Sequence, residues 1–326
     1  MGEALALATA MSYAASNVLV RLAARRVGGD RLAAPSWAFQ VEVMLHTTWV
    51  NVALLWAAWA AAALARPLLP ARPPALGLSP AGLLAFAAAG VTGPFLARIV
   101  LYQGLAHVGP GRLAAGKVLS PAMAAVLAAV TLGEPLGAGL GLALALIGVG
   151  TLLTVGGPGG LPRVDLQGFL YGAHSAWWLA VAALFRRVGV LALPDALLGA
   201  ALGSTVALLL VLAAARRGTR TLPTAGAGPA AGASPAAGPP AAGAPDPLRS
   251  PAVQRSILAS GLLSTIALFC SIAALAHAPV APVMAIHHTE PALAQWLGHA
   301  VLGGTDRVRP SAAVGTLMVL AGALLV

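Results

Sequence analysis

Charged side chains are scarce in this chain, since Asp, Glu, Lys and Arg together make up 9% of its 326 residues. A soluble globular domain carries about 25% charged residues, and so few charges cannot cover a soluble fold of this length. The scarcity therefore excludes the soluble classes and predicts an integral membrane protein. Cysteine is scarcer still, because Cys270 is the only one. A disulfide within the chain is excluded, and the apolar neighbours of Cys270 indicate a packed thiol.

Long apolar runs are what the chain has in place of charge. Hydrophobic residues make up 59% of it and the mean hydropathy is +0.87. Most runs last about 20 residues, the length that a helix needs to cross the hydrocarbon of a bilayer. Because the runs are continuous and not alternating, they predict helices and exclude the strands of a barrel. We predict an all-α membrane protein with ten transmembrane helices, at residues 3–24, 37–64, 81–105, 109–131, 135–155, 165–185, 194–214, 255–276, 280–302 and 310–326.

The ends and connections of these spans carry further signals. The first run lacks a basic start and an obvious cleavage site, so we interpret it as a retained helix and not as a signal peptide. One connection, residues 215–254, is long and rich in Ala, Gly and Pro. Such a segment cannot bury enough apolar surface to order itself, so we predict a flexible loop.

The formal net charge is +10, which in a soluble protein would point to nucleic acid. Here the arginines cluster between the apolar runs, where they serve as topology signals and interfacial anchors. We therefore expect the lipid bilayer and a small-molecule substrate as partners, and no nucleic acid. We expect a multi-pass protein of the plasma membrane, as a monomer, with a dimer as the alternative.

The chain repeats itself about its middle. The stretch "LAHVGPGRLAAGKVLSP" is similar to "LAHAPVAPVMAIHHTEP". Shared residues lie 170 positions apart, or 172 after a short insertion, at His107 and His277, Pro121 and Pro291, Gly133 and Gly303, and Gly150 and Gly322. We predict two five-helix repeats, residues 1–160 and 161–326. An odd number of helices per repeat makes the second copy insert upside down, which is the inverted-repeat plan of many secondary transporters.

Two short polar motifs interrupt the fourth and ninth spans at equivalent positions. The motif "KVLSP" places Lys117 and Ser120 on one helix face, and "HHTEP" does the same with His287 and Glu290, because each pair is three residues apart. The repeat then sets the first pair opposite the second. Ionisable groups inside a membrane face a cavity or a partner and mark a pathway, so these four residues are candidates for the substrate site.

Each of these motifs ends in a proline, Pro121 or Pro291. A proline removes one backbone N–H and frees a carbonyl one turn earlier, so both spans are predicted to break there. Two interpretations of the polar residues stay open. Lys117, His287 and Glu290 either pair only with one another to hold the two spans together, or they line a cavity in which Glu290 and His287 exchange protons.

Two other spans carry polar or aromatic side chains near their middles. Arg98 and Tyr102 share a face of the third span, where Arg98 would bind a substrate carboxylate or serve as a counter-charge to an acid. On the sixth span His174 lies three and four residues before Trp177 and Trp178. These aromatics predict a cavity wall, with a membrane-interface belt as the alternative.

Several stretches resemble one known family. "SYAASNVLVRLA" is similar to the first helix of the drug/metabolite transporter superfamily, in its ten-helix EamA-type branch. "LSPAMAAVLAAVTLGEPLGAGLGLALALIGVGTLL" is similar to that family's fourth and fifth helices, and "HHTEPALAQWLGHAVLGG" to its ninth. The resemblance implies two inverted repeats, termini in the cytoplasm and a role for Asn17 in lining the site.

These observations predict a secondary transporter or exporter of a small polar metabolite, such as an amino acid or related organic anion, that works by alternating access. A passive channel or metal-ion carrier is the alternative, and an intramembrane lipid-modifying enzyme is a further one. We expect no enzyme, because the chain has no paired-Asp motif, phosphate-binding loop or HExxH motif. We expect no cofactor and no metal site, since neighbouring histidines on a helix point in different directions.

The orientation in the membrane is left open by two conflicting signals. Most loop arginines lie on the side opposite the termini, whereas Arg66, Arg72, Arg186 and Arg187 lie on the terminus side. The preference for positive charge in the cytoplasm then puts the termini outside. The family resemblance implies the reverse.

Overall fold

The computed structural model describes residues 1–28, 37–65, 79–108, 110–155, 165–221, 249–301 and 310–325. Within these ranges the chain forms helices and no strand, which confirms the all-α prediction there. The helices are α1 (Gly2–Gly28), α2 (Trp37–Ala65), α3 (Pro80–Gly90), α4 (Arg98–His107), α5 (Pro110–Lys117), α6 (Ser120–Leu132), α7 (Leu140–Val155), α8 (Leu166–Ala192), α9 (Ala196–Thr221), α10 (Pro251–His277), α11 (Val280–His287), α12 (Glu290–Val301) and α13 (Pro310–Leu324).

These helices fall at the ten predicted spans. Seven stretches are long and apolar enough to cross a membrane, by length and composition: Gly2–Val27, Phe39–Ala65, Pro80–Leu105, Arg112–Leu132, Leu166–Ala192, Ala196–Arg216 and Pro251–His277. Helices α7 and α13 are shorter and also apolar. The remaining predicted span is divided between α11 and α12.

The outer surface of the helices is apolar as well. Val130 is 80% exposed, Leu84 71% and Leu317 67%. Large exposed aliphatic side chains on several helices suit contact with lipid better than contact with water. Together with the seven apolar stretches, this surface suggests a multi-pass membrane protein.

The third predicted span is interrupted by a π-helical segment, Val91–Ala97, which joins α3 to α4. Pro94 lies inside it. Proline lacks the N–H that an α-helix needs and its ring clashes with the carbonyl four residues earlier, and a widened turn accommodates both. The hydroxyl of Ser175 on α8 donates to the Ala97 carbonyl at 3.0 Å. The distorted turn is therefore fixed against α8, directly before Arg98.

Helix ends differ from the predictions at α7, which begins at Leu140 and not at 135, at α8, which runs to Ala192 and not to 185, and at the long loop. Helix α9 runs on to Thr221, so residues 215–221, predicted as loop, are helical, and α10 begins at Pro251. The hydroxyl of Ser250 caps α10 by accepting the N–H of Val253 at 3.3 Å. Residues 222–248 of the predicted loop lie outside the described ranges.

Glycines let several helices touch through their backbones. Where α5 crosses α8, a Cβ on Gly172 would lie 2.8 Å from the Cα of Gly116. Where α7 crosses α13, a Cβ on Gly150 would lie 2.5 Å from the Gly315 carbonyl oxygen. Close contact of this kind is how helices associate in lipid, where water supplies no driving force.

The contact between α7 and α13 is also reciprocal. A Cβ on Gly150 would meet Gly315 and Val319, and a Cβ on Gly322 would meet Ala143 and Ile147. Positions 315, 319 and 322 each lie 172 residues after positions 143, 147 and 150. The two antiparallel helices therefore present equivalent positions to each other, at the offset found in the sequence.

We expect Gly150→Ala to destabilise the protein, because its methyl group would collide with the α13 backbone. Overpacking of this kind costs about 1–3 kcal/mol, against a gain of roughly 1 kcal/mol in helix propensity. Thermal unfolding of the detergent-purified protein measures the loss. Gly141→Ala, on the same helix, is the matched control, since nothing lies within 4 Å of its added Cβ. Equal midpoints for the two variants would contradict the backbone contact.

Candidate functional site

The fourth and ninth predicted spans are both interrupted in the middle. In each, a second helix begins one residue before the proline. Helix α5 ends at Lys117 and α6 begins at Ser120, while α11 ends at His287 and α12 begins at Glu290. The four polar residues singled out in the sequence therefore flank the two breaks. Helix α6 packs against α11, so the broken parts of the two spans lie beside each other.

The two breaks share one backbone conformation. Three hydrogen bonds of the first recur 170 residues later in the second: Val118 to Ala114, Leu119 to Gly116 and Met123 to Leu119 correspond to His288 to Met284, Thr289 to Ile286 and Leu293 to Thr289. The middle bond of each set spans three residues, as in a tightened 3₁₀ turn. The same break thus forms around different side chains.

Helix α1 supplies the closest partners of the second break. The ring of Tyr13 stacks on His287, with centroids 5.3 Å apart and planes 8° from parallel. Asn17 donates a hydrogen bond from Nδ2 to Oε1 of Glu290. The other carboxylate oxygen, Oε2, lies 3.7 Å from Nε2 of His287. One acid, one amide and one imidazole thus meet where α1, α11 and α12 converge.

The two residues inside the second break satisfy its backbone. His288 is directed to the carbonyl of Met284, 2.9 Å from its Nδ1, and Thr289 donates to the carbonyl of Ile286 at 2.8 Å. Both side chains are buried. In the described part of the chain, Nδ1 of His287 and Nε2 of His288 have no hydrogen-bond partner. These two nitrogens are free to bind a water or a polar ligand.

The first break brings a cation and a hydroxyl to the same region. Ser120 is fully buried, and its hydroxyl has no hydrogen-bond partner among the residues described. Lys117 is partly buried, and its charge lies within electrostatic range of both His287 and His288. The charge of Lys117 therefore acts on the two histidines of the second break, while its predicted pairing with Glu290 stays a prediction.

Arg98 lies at the start of α4, directly after the π-helical segment. Its Nη1 donates to the hydroxyl of Thr47 on α2 at 3.3 Å. Tyr102, one turn further along α4, is partly buried. Arg98 is held from α2, and no acid forms an ion pair with it among the residues described, so the counter-charge role considered for it has no partner there.

Arg186 is an interior residue that the sequence did not predict. The sequence predicts a loop at Arg186 and Arg187, but α8 continues through both to Ala192, because arginine favours helix and no proline follows them until Pro194. Arg186 is 5% exposed, and its charge lies within range of Tyr13, Arg98 and His287. The signal available in the sequence was the similar pair Arg25 and Arg26, which lies inside the last turn of α1.

The aromatic cluster of α8 lies elsewhere. His174 is exposed and Trp177 is 43% exposed. Trp178 donates from Nε1 to Nε2 of His174 at 2.8 Å. The opposite face of α8, which carries Ser175 and Ala176, is the buried one. The structure therefore does not bring these three aromatic residues to the two breaks, and the interface-belt alternative fits their exposure better.

The chemistry available at the breaks is proton exchange and anion binding. His287, His288 and Glu290 can gain or lose protons, while Lys117 and Arg98 can hold a negative charge. No group of three or more His, Cys, Asp or Glu that could hold a metal ion occurs in the described ranges.

Comparisons with known proteins bear on the fold alone. No family model matches the chain, and no curated protein matches it. Among solved structures, 28 chains are similar. One, described only as the crystal structure of a protein, has a TM-score of 0.67 and 16% sequence identity, with 98% of this chain and 95% of that chain covered. The chain therefore shares a fold with a solved protein over nearly its whole length.

A second polar contact holds the two halves together away from the breaks. Gly133 ends α6 in a left-handed conformation, with φ of 67°, and Glu134 follows. Its Oε1 pairs with Nε of Arg187 at 2.8 Å, and its Oε2 accepts the N–H of Val280 at 2.7 Å. Arg187 also donates to the Leu275 carbonyl. One carboxylate thus connects α8 with the junction of α10 and α11.

We expect Glu134→Ala to destabilise the protein strongly, because Arg187 and the Val280 N–H would both lose their partner. Removing one member of a buried ion pair costs about 3–5 kcal/mol, and these two side chains are only 15% and 11% exposed. Thermal unfolding in detergent measures the effect. Arg112→Ala is the control, since its pair with Asp165 is 52% and 38% exposed and such pairs contribute about 0–1 kcal/mol. Similar losses for both variants would refute the connecting role.

Proposed function

We propose that the protein is a multi-pass transporter of the plasma membrane that moves a small polar metabolite, such as an amino acid or related organic anion. The observation that carries this proposal is the juxtaposition of two broken helices, with Lys117 and Ser120 at one break and His287 and Glu290 at the other. Paired breaks in corresponding helices are typical of the central substrate site of secondary transporters. The protein is not an enzyme in this proposal, and it acts as a monomer within the lipid bilayer.

The proposal includes two inverted five-helix repeats of the EamA type, residues 1–160 and 161–326. The reciprocal contact of α7 with α13 supports it, as do the matching hydrogen bonds at the two breaks. The helix contacts also correspond between the two proposed repeats, in which α8 is the counterpart of α1. Helix α1 packs on α10, α11 and α12, while α8 packs on α3, α4, α5 and α6. A two-fold axis between the proposed repeats would exchange these sets, because α3 and α4 correspond to α10, and α5 and α6 correspond to α11 and α12.

Inverted repeats predict which positions share a side of the membrane. In ten spans the two termini lie together, and the start of the sixth span lies opposite. We expect an impermeant thiol reagent to label Glu3→Cys and Leu325→Cys from one side and Gln167→Cys from the other. All three positions are exposed, and the native Cys270 is 8% exposed. Labelling of Gln167→Cys from the same side as Glu3→Cys would refute the inverted arrangement.

Alternating access gives the breaks a mechanical role. One repeat rocks against the other around a fixed site, and the α1 contacts of Glu290 and His287 are among those that would change. A proton bound to Glu290 would remove the negative charge of its carboxylate, and its contacts with Asn17 and His287 would change with it. Proton binding would in this way change the balance between the two arrangements.

The charges in this region favour an anion over a cation as substrate. Arg98, Lys117 and Arg186 bring three positive charges near the breaks, whereas Glu290 is the one acid among the contacts described there. A path for metal ions needs oxygen ligands in number. The alternative of a metal-ion carrier or cation channel is therefore less well supported than a carrier of organic anions.

We expect Glu290→Gln to abolish uptake driven by a pH gradient in proteoliposomes, because Gln keeps an acceptor for Asn17 and cannot take up a proton. Exchange of substrate across the membrane without a gradient should persist. The substrate for the assay comes from a screen of metabolite accumulation on overexpression. His174→Gln, a change on the exposed face of α8, is the control and should keep gradient-driven uptake. Undiminished gradient-driven uptake by Glu290→Gln would eliminate proton coupling through this residue.

A further inference from the structure

Arg186 has an unusual environment for a charged side chain. Within the described ranges it is the only Lys, Arg, Asp or Glu that is buried. Its single hydrogen bond there is a long one, 3.5 Å from Nη1 to the Ser271 hydroxyl. A guanidinium has five N–H donors, and no carboxylate in the described part of the chain forms an ion pair with it. An unpaired cation in a dry interior is strongly unfavourable.

The charged neighbours of Arg186 increase this imbalance. Arg98 is one of the groups whose charge acts on it, and Arg186 in turn acts on His287. Tyr13, which stacks on His287, is also close enough to interact electrostatically with Arg186. No negative charge is among these neighbours. Arg186 therefore has no carboxylate among these neighbours to balance its charge.

A small cavity adjoins the guanidinium. Its volume is about 10 Å³, room for about one water-sized group. The walls are mostly apolar and include Pro94 of the π-helical segment. The one other polar side chain in the lining is Ser204 of α9, which is 1% exposed and whose hydroxyl has no partner among the described residues. Two donors thus face one apolar space.

We infer that Arg186 binds the carboxylate of an organic-anion substrate, with the Ser204 hydroxyl as a second donor. This deepens the proposed function and rests on it. The planar fork of a guanidinium matches the two oxygens of a carboxylate, and the cavity has room for one of them. The subsite is built from α8 and α9 and uses none of the residues at the two breaks. A carboxylate bound there supplies the counter-charge that Arg186 lacks.

The test measures thermal unfolding of the full chain in detergent with matched probes at one ionic strength. Sodium acetate, benzoate, succinate and glutarate are compared with acetamide, benzamide, succinamide and glutaramide. At least one carboxylate should raise the wild-type midpoint by about 2 °C or more relative to its amide.

Arg186→Gln should lose this difference and, without probe, unfold no earlier than wild type, because it removes an unpaired charge. Arg186→Gln that unfolds earlier yet keeps the carboxylate effect would show a structural role and overturn the inference. So would a wild type that distinguishes no carboxylate from its amide.

A serine pair keeps the test decisive if Arg186→Gln does not fold. Ser204 and Ser264 are both buried serines whose hydroxyls have no partner in the described ranges, and only Ser204 lines the cavity. Ser204→Ala should weaken the carboxylate effect about tenfold in midpoint concentration, and Ser264→Ala should leave it unchanged. Equal behaviour of the two variants would count against the subsite.

Transport separates this inference from the proposed function. If the purified protein binds carboxylates through Arg186 but moves none in proteoliposomes, the subsite stands and the transporter proposal fails. If it transports a metabolite and Arg186→Gln leaves the half-saturating concentration unchanged, the transporter proposal stands and the subsite fails.

Discussion

The constraint on which this structure depends is that an ionised carboxylate in an apolar bundle must be surrounded by partners. Glu290 meets it with groups from two directions, the amide of Asn17 on α1 and the imidazole of His287 one turn before it. Isolated, such a charge would cost far more than the net stability of a domain. The position of α1 across the break in the ninth span follows from this need.

The two breaks have the same backbone hydrogen bonds but carry side chains of different charge. Their hydrogen bonds match at an offset of 170 residues, yet a lysine occupies the position of His287 and a serine that of Glu290. A strictly symmetric site would place two like charges against each other. The divergence gives a cation on one break and an acid on the other, so the backbone repeat is kept while the charges complement each other.

Sequence patterns predicted the parts of the fold that depend on hydropathy and proline. The spans, the breaks and the repeat offset follow from apolar runs and from residues such as Pro121 and Pro291. It was harder to predict which face of a helix is directed to the interior. Spacing correctly indicates that His174, Trp177 and Trp178 lie close together, but not whether their face is inside, and they lie on the outer side. Arg186 was missed because two adjacent arginines were taken to indicate a loop. Arginine is compatible with helix, and α8 continues to Ala192, shortly before Pro194.

The unpaired charge of Arg186, together with the nearby charge of Arg98, has a consequence for how the proposed transporter would avoid changing state without its substrate. Arg98 and Arg186 lie on α4 and α8, which are tied by the Ser175 bond to Ala97, so their repulsion cannot be relieved by separating these two helices alone. An arrangement that excludes water strengthens that repulsion, since charges interact more strongly at low dielectric. In the proposed transporter, an anion bound at Arg186 would remove it. A ligand shifts a conformational equilibrium only by its difference in affinity for the two states, and here the unpaired charge supplies the difference. In the proposed transporter, the same arginine that recognises the carboxylate would thus disfavour closure in its absence.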